Sequence, residues 1–180
     1  VLDDVSGLSG ATVEQMLAQY PNDTDVLLVA VKYYVRVPDY TRARQIAQQL
    51  LSCDGSADNL VIYTDIIAQQ VKDEQSSLDP TLDSEARNLL SQAEQKEQQA
   101  STLNTQLPSE QEQYDQLMNE AEDLRQQAAN LDITRAVNYL LAKKPLTGDS
   151  SGLLDLQIAK LYLAAGDREK AKEYIWQVVD

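Results

Sequence analysis

Apolar residues recur every three or four positions along most of the chain, which is the spacing of one face of an α-helix. In the C-terminal segment, Gly166-Asp167 separates two such amphipathic stretches. Glycine adopts the left-handed conformation that ends a helix, and aspartate caps the amides that open the next one. We therefore predict two helices joined by a tight turn at Gly166-Asp167. Their apolar faces contain Leu154, Ile158, Leu161 and Tyr162 in the first helix, and Ala171, Ile175 and Val178 in the second.

Residues 24–50 repeat this arrangement, with Pro38-Asp39 at the turn. In both segments a tyrosine precedes the aspartate by five residues and an alanine by nine, and a lysine lies two residues before the tyrosine. The matching residues are Lys32, Tyr34, Asp39 and Ala43 in the first segment, and Lys160, Tyr162, Asp167 and Ala171 in the second. The shared offsets indicate two copies of one helical pair.

These residues resemble the tetratricopeptide repeat, a unit of two helices with a tyrosine in the first and an alanine in the second. The resemblance implies a curved solenoid in which the first helices line a concave groove that holds extended peptides or partner helices. It also implies which side chains line that groove. They are Leu28, Lys32, Arg36, Leu156, Lys160 and Leu163.

Two further helices fit the same scheme. The stretch that ends at Pro21-Asn22-Asp23 is typical of the second helix of a preceding unit, and residues 57–71 are typical of another first helix. The partner of this first helix does not follow at the expected distance. The second clear unit starts about 26 residues later than it would if three repeat periods of about 34 residues separated it from the start of the first. We place the excess in residues 81–131.

Pro80 ends one pattern, and residues 81–131 carry two heptad stripes of the kind found in coiled coils. Pro108 separates the stripes, so we predict two antiparallel helices of about 33 Å each. The first stripe consists of Leu82, Ala86, Leu89, Ala93, Lys96, Ala100, Leu103 and Leu107. The second consists of Tyr114, Leu117, Ala121, Leu124, Ala128 and Leu131.

After this hairpin, the pattern predicts a shorter helix that starts at Asp132 and is stopped by Pro145. The chain is thus expected to be all-α, a short solenoid of tetratricopeptide-like helical hairpins with a protruding antiparallel coiled-coil hairpin. The predicted regions are N-terminal repeat-like helices in residues 1–80, the hairpin in 81–131, and C-terminal repeat-like helices in 132–180.

The chain is strongly acidic, with 29 Asp and Glu against 15 Lys and Arg, a formal charge of −14. Such a surface repels phosphate backbones, so we expect no nucleic-acid partner. Ten acids and three bases lie in residues 83–131. This region is either a solvated spacer or an acidic arm that contacts a basic partner. On this acidic chain, a groove lined by Lys32, Arg36 and Lys160 could bind carboxylates. The alternative is that all three are ordinary solvated surface cations.

The sequence offers little material for catalysis or metal binding. Histidine is absent, Cys53 is the sole cysteine, and neither a glycine-rich phosphate loop nor an acidic calcium loop is present. We therefore expect no enzyme activity, no catalytic residues, no metal site and no cofactor. No apolar run reaches the roughly 18 residues of a membrane span, so we expect no membrane insertion.

The function that follows from these patterns is a noncatalytic scaffold or adaptor. It would bind a peptide or partner protein through the groove and the acidic arm. The alternative is a structural subunit of a homo- or hetero-oligomer or filament, and self-association stays open. The sequence leaves the compartment undetermined between the bacterial periplasm or envelope and the cytoplasm.

Overall fold

The computed structural model describes residues 5–73 and 84–179, and within these ranges the regular secondary structure is entirely α-helical. The all-α prediction is therefore confirmed. Pro80 and Leu82, and with them the predicted boundary between residues 80 and 81, lie outside the described residues. The helices are α1 (Gly10–Gln19), α2 (Thr24–Arg36), α3 (Tyr40–Cys53), α4 (Ala57–Lys72), α5 (Ser84–Ser101), α6 (Pro108–Thr147), α7 (Leu153–Ala164) and α8 (Arg168–Val179).

Helices adjacent in sequence pack against each other as pairs, and α2 with α3 and α7 with α8 form the two predicted pairs. Their turns share a backbone hydrogen bond. The Asp39 N–H donates to the carbonyl of Tyr34 at 2.8 Å, and the Asp167 N–H donates to the carbonyl of Tyr162 at 2.9 Å. Gly166 has φ +80°, which confirms the left-handed turn predicted there. Pro38, at the equivalent position, cannot adopt this conformation because its ring fixes φ near about −65°, so the two turns are similar but not identical.

The aspartate of each turn also caps the following helix in the same way. Asp39 Oδ1 accepts from the N–H of Arg42 at 3.0 Å, and Asp167 Oδ1 accepts from the N–H of Lys170 at 3.1 Å. The capping position predicted for Asp167 is thus confirmed. Each capped residue then places its cation over the tyrosine of its own pair, Arg42 over Tyr34 and Lys170 over Tyr162. Each tyrosine therefore lies beneath a cation of its own pair, but Tyr34 also donates to Glu14 and meets Tyr33 edge to face, whereas Tyr162 stacks on Tyr174.

The helix predicted to start at Asp132 does not exist as a separate element. α6 runs without a break from Pro108 to Thr147, so Asp132 lies in its interior. No glycine or proline interrupts the chain near Asp132, and its carboxylate contacts a buried arginine instead of capping a helix. Pro145 also lies inside α6, which ends two residues later with Gly148 in the left-handed conformation. Both predictions about this helix were therefore wrong.

The C-terminal part of α6 supplies the missing partner of α4. Leu60 and Ile67 of α4 share a buried cluster with Ile133, Val137 and Leu140 of α6. The same cluster continues into α7 through Leu154, Ile158 and Leu161. The hairpin of α5 and the N-terminal part of α6 therefore lies in the chain between α4 and the part of α6 that packs with α4, and its second arm continues directly into this cluster.

α5 and the N-terminal part of α6 pack against each other along their alanines. Ala86, Ala93 and Ala100 of α5 and Ala121 and Ala128 of α6 are all at most 3% exposed. Small side chains here allow close approach of the two backbones, and ion pairs flank the contact. These ion pairs join Lys96 to Glu120 at 2.5 Å, Glu97 to Arg125 at 2.9 Å and Glu85 to Arg135 at 3.7 Å.

Two glycines in the C-terminal pair provide a test of the local backbone. Both have a left-handed backbone, with φ +75° at Gly152 and φ +80° at Gly166. A Cβ added at Gly152 would lie 3.0 Å from Cγ1 of Val178, whereas a Cβ added at Gly166 would have no neighbouring atom within 4 Å. We expect Gly166→Ala to cost about 1–2 kcal/mol for its left-handed backbone. Gly152→Ala is expected to cost at least about 1 kcal/mol more, since Val178 must move. Urea unfolding of both variants measures the difference, and equal costs would contradict the close approach to Val178.

Candidate functional site

A groove opens between α2, α4, α7 and the base of the α5–α6 hairpin, and it has a volume of about 720 Å³. Side chains from all five helices line it, so it exists only in the assembled fold. Its floor is mainly apolar and includes Val31, Val35, Ile62, Ile66, Leu90 and Ala128. We call this feature the central groove.

Local sequence explains how α2 presents two cations to the groove. Lys32 and Arg36 are one helical turn apart and both are exposed. Leu27 and Ala30 face the other way and are fully buried in the N-terminal core. Burial of that apolar face turns the cationic side of α2 toward the groove.

The charges along the groove are unbalanced toward positive. Five lining residues are cationic and three are acidic, on a chain whose formal charge is −14. The cations are Lys32, Arg36, Lys72, Arg125 and Lys160, and the acids are Asp65, Glu122 and Asp132. The groove is thus a cationic strip on an acidic protein.

Polar contacts hold several of these groups in place. Lys160 donates to Asp65 at 2.7 Å, and the buried Gln157 donates to the same carboxylate oxygen at 2.9 Å. Arg125 makes two hydrogen bonds of 2.9 Å to Glu97, and these bonds lower the pKa of Glu97. Because the partners are already positioned, the cationic heads lose less side-chain freedom when they bind an anion.

Three of the six residues predicted to line a groove do line this one, namely Lys32, Arg36 and Lys160. The three leucines do not. Leu28 is half-buried against the N-terminal core. Leu156 and Leu163 are 46% and 51% exposed on α7, four residues before and three residues after Lys160, but neither lines the central groove.

Two cations of the groove were not anticipated from the sequence. Lys72 lies in the last turn of α4, where a basic residue is common for reasons of helix polarity alone. Arg125 belongs to the hairpin, whose composition is dominated by acids. Only the packing of the hairpin base beside α4 reveals that Arg125 reaches the groove.

A buried ion pair lies behind the groove and ties the hairpin to the N-terminal helices. Both terminal nitrogens of Arg44 donate to the carboxylate of Asp132 at 3.3 Å, and Nη1 also donates to Gln70 at 2.7 Å. The side chains of Arg44 and Asp132 are 4% and 7% exposed. This cluster joins α3, α4 and α6 at a single point and thereby orients the hairpin base.

The described residues contain no group of three or more histidine, cysteine, aspartate or glutamate side chains arranged to hold a metal ion. Cys53 is exposed at the end of α3. Within residues 5–73 and 84–179, no helix combines the length and the apolarity needed to cross a bilayer. What the central groove offers chemically is therefore charge and apolar contact.

Comparisons with protein-family models, with curated proteins and with solved structures returned no match to this chain.

Proposed function

We propose that this protein is a noncatalytic interaction scaffold whose central groove binds a short acidic segment of a partner protein. The observation that carries the proposal is the cationic strip of the groove, which stands out on a chain with a formal charge of −14. The net negative charge of the chain repels most acidic partners at long range. The local excess of positive charge in the groove therefore favours acidic segments whose carboxylates enter it.

The apolar floor defines a second requirement for the partner. Val31, Val35 and Ile66 line the groove together with its cations. A segment that carries apolar side chains beside its acids would bury them there while its carboxylates meet the lysines and arginines. Burial of apolar surface supplies affinity, and the charge pairs supply orientation.

The volume of the groove is compatible with a short peptide segment. Its volume of about 720 Å³ falls within the range of about 300–1,000 Å³ typical of ligand sites. We further propose that the helical pairs are tetratricopeptide-like units stacked as a solenoid, since the two turns share a backbone hydrogen bond and their aspartate caps. In such a solenoid the first helices α2, α4 and α7 would form one concave wall.

The hairpin has a separate place in this proposal. Residues 83–131 carry ten acids against three bases, and in this proposal they form an acidic coiled coil. We assign it the contact with a basic region of the partner. Its base contributes Arg125 and Leu90 to the groove, so both contacts would engage one partner.

Peptide binding tests the groove directly. A labelled peptide that alternates leucine and aspartate should bind the full chain, whereas the same peptide with lysine in place of aspartate should not. The double variant Lys32→Ala, Arg36→Ala is expected to weaken binding of the acidic peptide about tenfold or more, because it removes two of the five groove cations. Fluorescence anisotropy measures both affinities.

Lys172→Ala is the matched control, since Lys172 is an exposed cation on α8 outside the groove. It should leave the affinity unchanged. Equal binding of the acidic and basic peptides would refute the proposal, as would an equal loss of affinity in the control variant.

A further inference from the structure

Asp65 is an acid in the central groove, at a helix position where α2 and α7 have a lysine. Each of the first helices α2, α4 and α7 places a charged groove residue directly after a buried one. These neighbours are Val31 and Lys32 in α2, Thr64 and Asp65 in α4, and Ala159 and Lys160 in α7. A carboxylate at this position repels the acids of a bound segment, so Asp65 must serve another purpose in the groove.

Two donors hold the carboxylate of Asp65 through one of its oxygens. Lys160 Nζ donates to Oδ1 at 2.7 Å, and the side-chain amide of Gln157 donates to the same oxygen at 2.9 Å. Oδ2 has no hydrogen-bond partner within the described residues, and it is not buried. The carboxylate is therefore fixed in place while its second oxygen is still able to accept a hydrogen bond.

A buried network orients Asp65 from inside the protein. Gln157 is 4% exposed and Thr64 is 0% exposed. The amide nitrogen of Gln157 also donates to Thr64 Oγ1 at 3.0 Å, and the Thr64 hydroxyl donates to the carbonyl of Leu60 at 2.9 Å. Because a buried polar group is costly unless it is hydrogen-bonded, each member of this network holds the next in one orientation. Gln157 is thus a positioning residue that acts through Asp65.

The charge of Asp65 is already offset, which disfavours a basic side chain as its ligand. An incoming lysine or arginine would approach the ammonium group of Lys160, which lies 2.7 Å from the Asp65 carboxylate. The pair instead presents an acceptor, Oδ2, beside a donor, the ammonium group. A peptide group has the matching donor and acceptor, and in an extended residue the backbone N–H and C=O lie on the same side of the chain, as in a β-ladder.

We infer that Asp65 and Lys160 bind the main chain of the segment in the central groove. Oδ2 of Asp65 accepts a backbone N–H, and Lys160 donates to the carbonyl of the same residue. The carboxylates of the segment are then bound by other groove cations, such as Arg36 and Lys72. This inference rests on the proposed function and makes its ligand more specific. The segment must be extended, since the interior N–H groups of a helix already donate to its own carbonyls.

Amide-to-ester substitution in the ligand tests this contact, because it removes a backbone N–H and keeps the shape of the chain. The probes are two versions of the labelled peptide that alternates leucine and aspartate. One has an ester in place of the N–H of every leucine, and the other has an ester in place of the N–H of every aspartate. A shift of the peptide by two residues therefore cannot restore the missing donor.

We expect one of the two esters to bind the full chain about tenfold or more weakly than the amide peptide, the cost of a lost hydrogen bond to a charged group. The other ester should lose distinctly less, because its missing N–H groups lie on the opposite side of the extended chain. Fluorescence anisotropy measures the three affinities.

Variants of the protein assign the loss to Asp65. In Asp65→Ala the sensitive ester and the amide peptide should differ by about threefold or less, since the acceptor is gone from both complexes. Gln157→Met nearly preserves the buried volume but removes the donor that orients Asp65, so it should also reduce the difference. Asp58→Ala is the matched control, because Asp58 is an exposed acid of the same helix outside the groove. It should retain the full difference.

Equal losses with the two esters would overturn the inference, and so would a loss that persists undiminished in Asp65→Ala. An undiminished loss in Gln157→Met, with the variant shown to be folded by circular dichroism, would refute the positioning role. All three results leave the proposed function standing if the amide peptide binds better than its lysine counterpart. If the amide peptide does not bind, the proposed function and this inference both fail.

Discussion

Asp132→Ala is expected to lower the free energy of unfolding by about 3–5 kcal/mol, the cost of leaving one partner of a buried ion pair without its counterion. Arg44 is 3% exposed and its Nε atom already has no hydrogen-bond partner among the described residues. Without Asp132, both terminal nitrogens of this almost fully buried arginine lose an acceptor. Urea unfolding followed by circular dichroism measures the loss.

Two controls separate the buried charge from a general effect of the substitution. Asp123→Ala removes an exposed acid from the same helix and should change stability by less than about 0.5 kcal/mol. The double variant Arg44→Met, Asp132→Leu removes both charges and should cost far less than Asp132→Ala alone, since replacing a whole buried pair is often neutral. A double variant as unstable as the single one would show that the charge pair is not the source of the cost.

Leu140→Ala is expected to destabilise the protein by about 2–5 kcal/mol. Leu140 is 0% exposed and belongs to the cluster that joins α4, α6 and α7. Truncation leaves a cavity at the point where the returning arm of the hairpin meets α4 and α7. The helices around this cavity also pack against one another, so they cannot close it without losing some of those contacts.

The adjacent residue provides the matched control. Leu141 follows Leu140 on the same helix but is 39% exposed. Leu141→Ala should therefore cost less than about 1 kcal/mol, because its side chain is already partly in contact with water. Thermal unfolding of the two variants tests the assignment, and similar costs would show that α6 does not pack in the register described.

Local sequence was sufficient to predict most of the helices. Gly166 and Asp167 define a turn through backbone freedom and side-chain capping, both of which act within a few residues. The alanines at Ala93 and Ala121 follow a heptad spacing that requires a close helix partner, and both are buried at the hairpin contact. These predictions succeeded because the physical causes are local.

The errors concern a residue whose partner is distant in sequence. Asp132 has the side chain of a helix cap, and the sequence favoured a break there. In the structure its carboxylate binds Arg44, which lies on α3 far earlier in the chain. The sequence likewise did not predict that Arg125 lines the central groove, because its position there depends on how the hairpin base packs.

The sequence alone determined that this protein is all-α, where most of its helices turn, and that Lys32 and Lys160 are cations at equivalent positions of their helices, with Arg36 one turn after Lys32. Hydrophobic periodicity and capping act over a few residues and can be read along the chain. Only the tertiary structure decided that α6 runs unbroken from the hairpin into the core it shares with α4 and α7, and that Lys72 and Arg125 join the central groove. Each of these depends on contacts between residues far apart in sequence, and no local pattern records which surfaces meet.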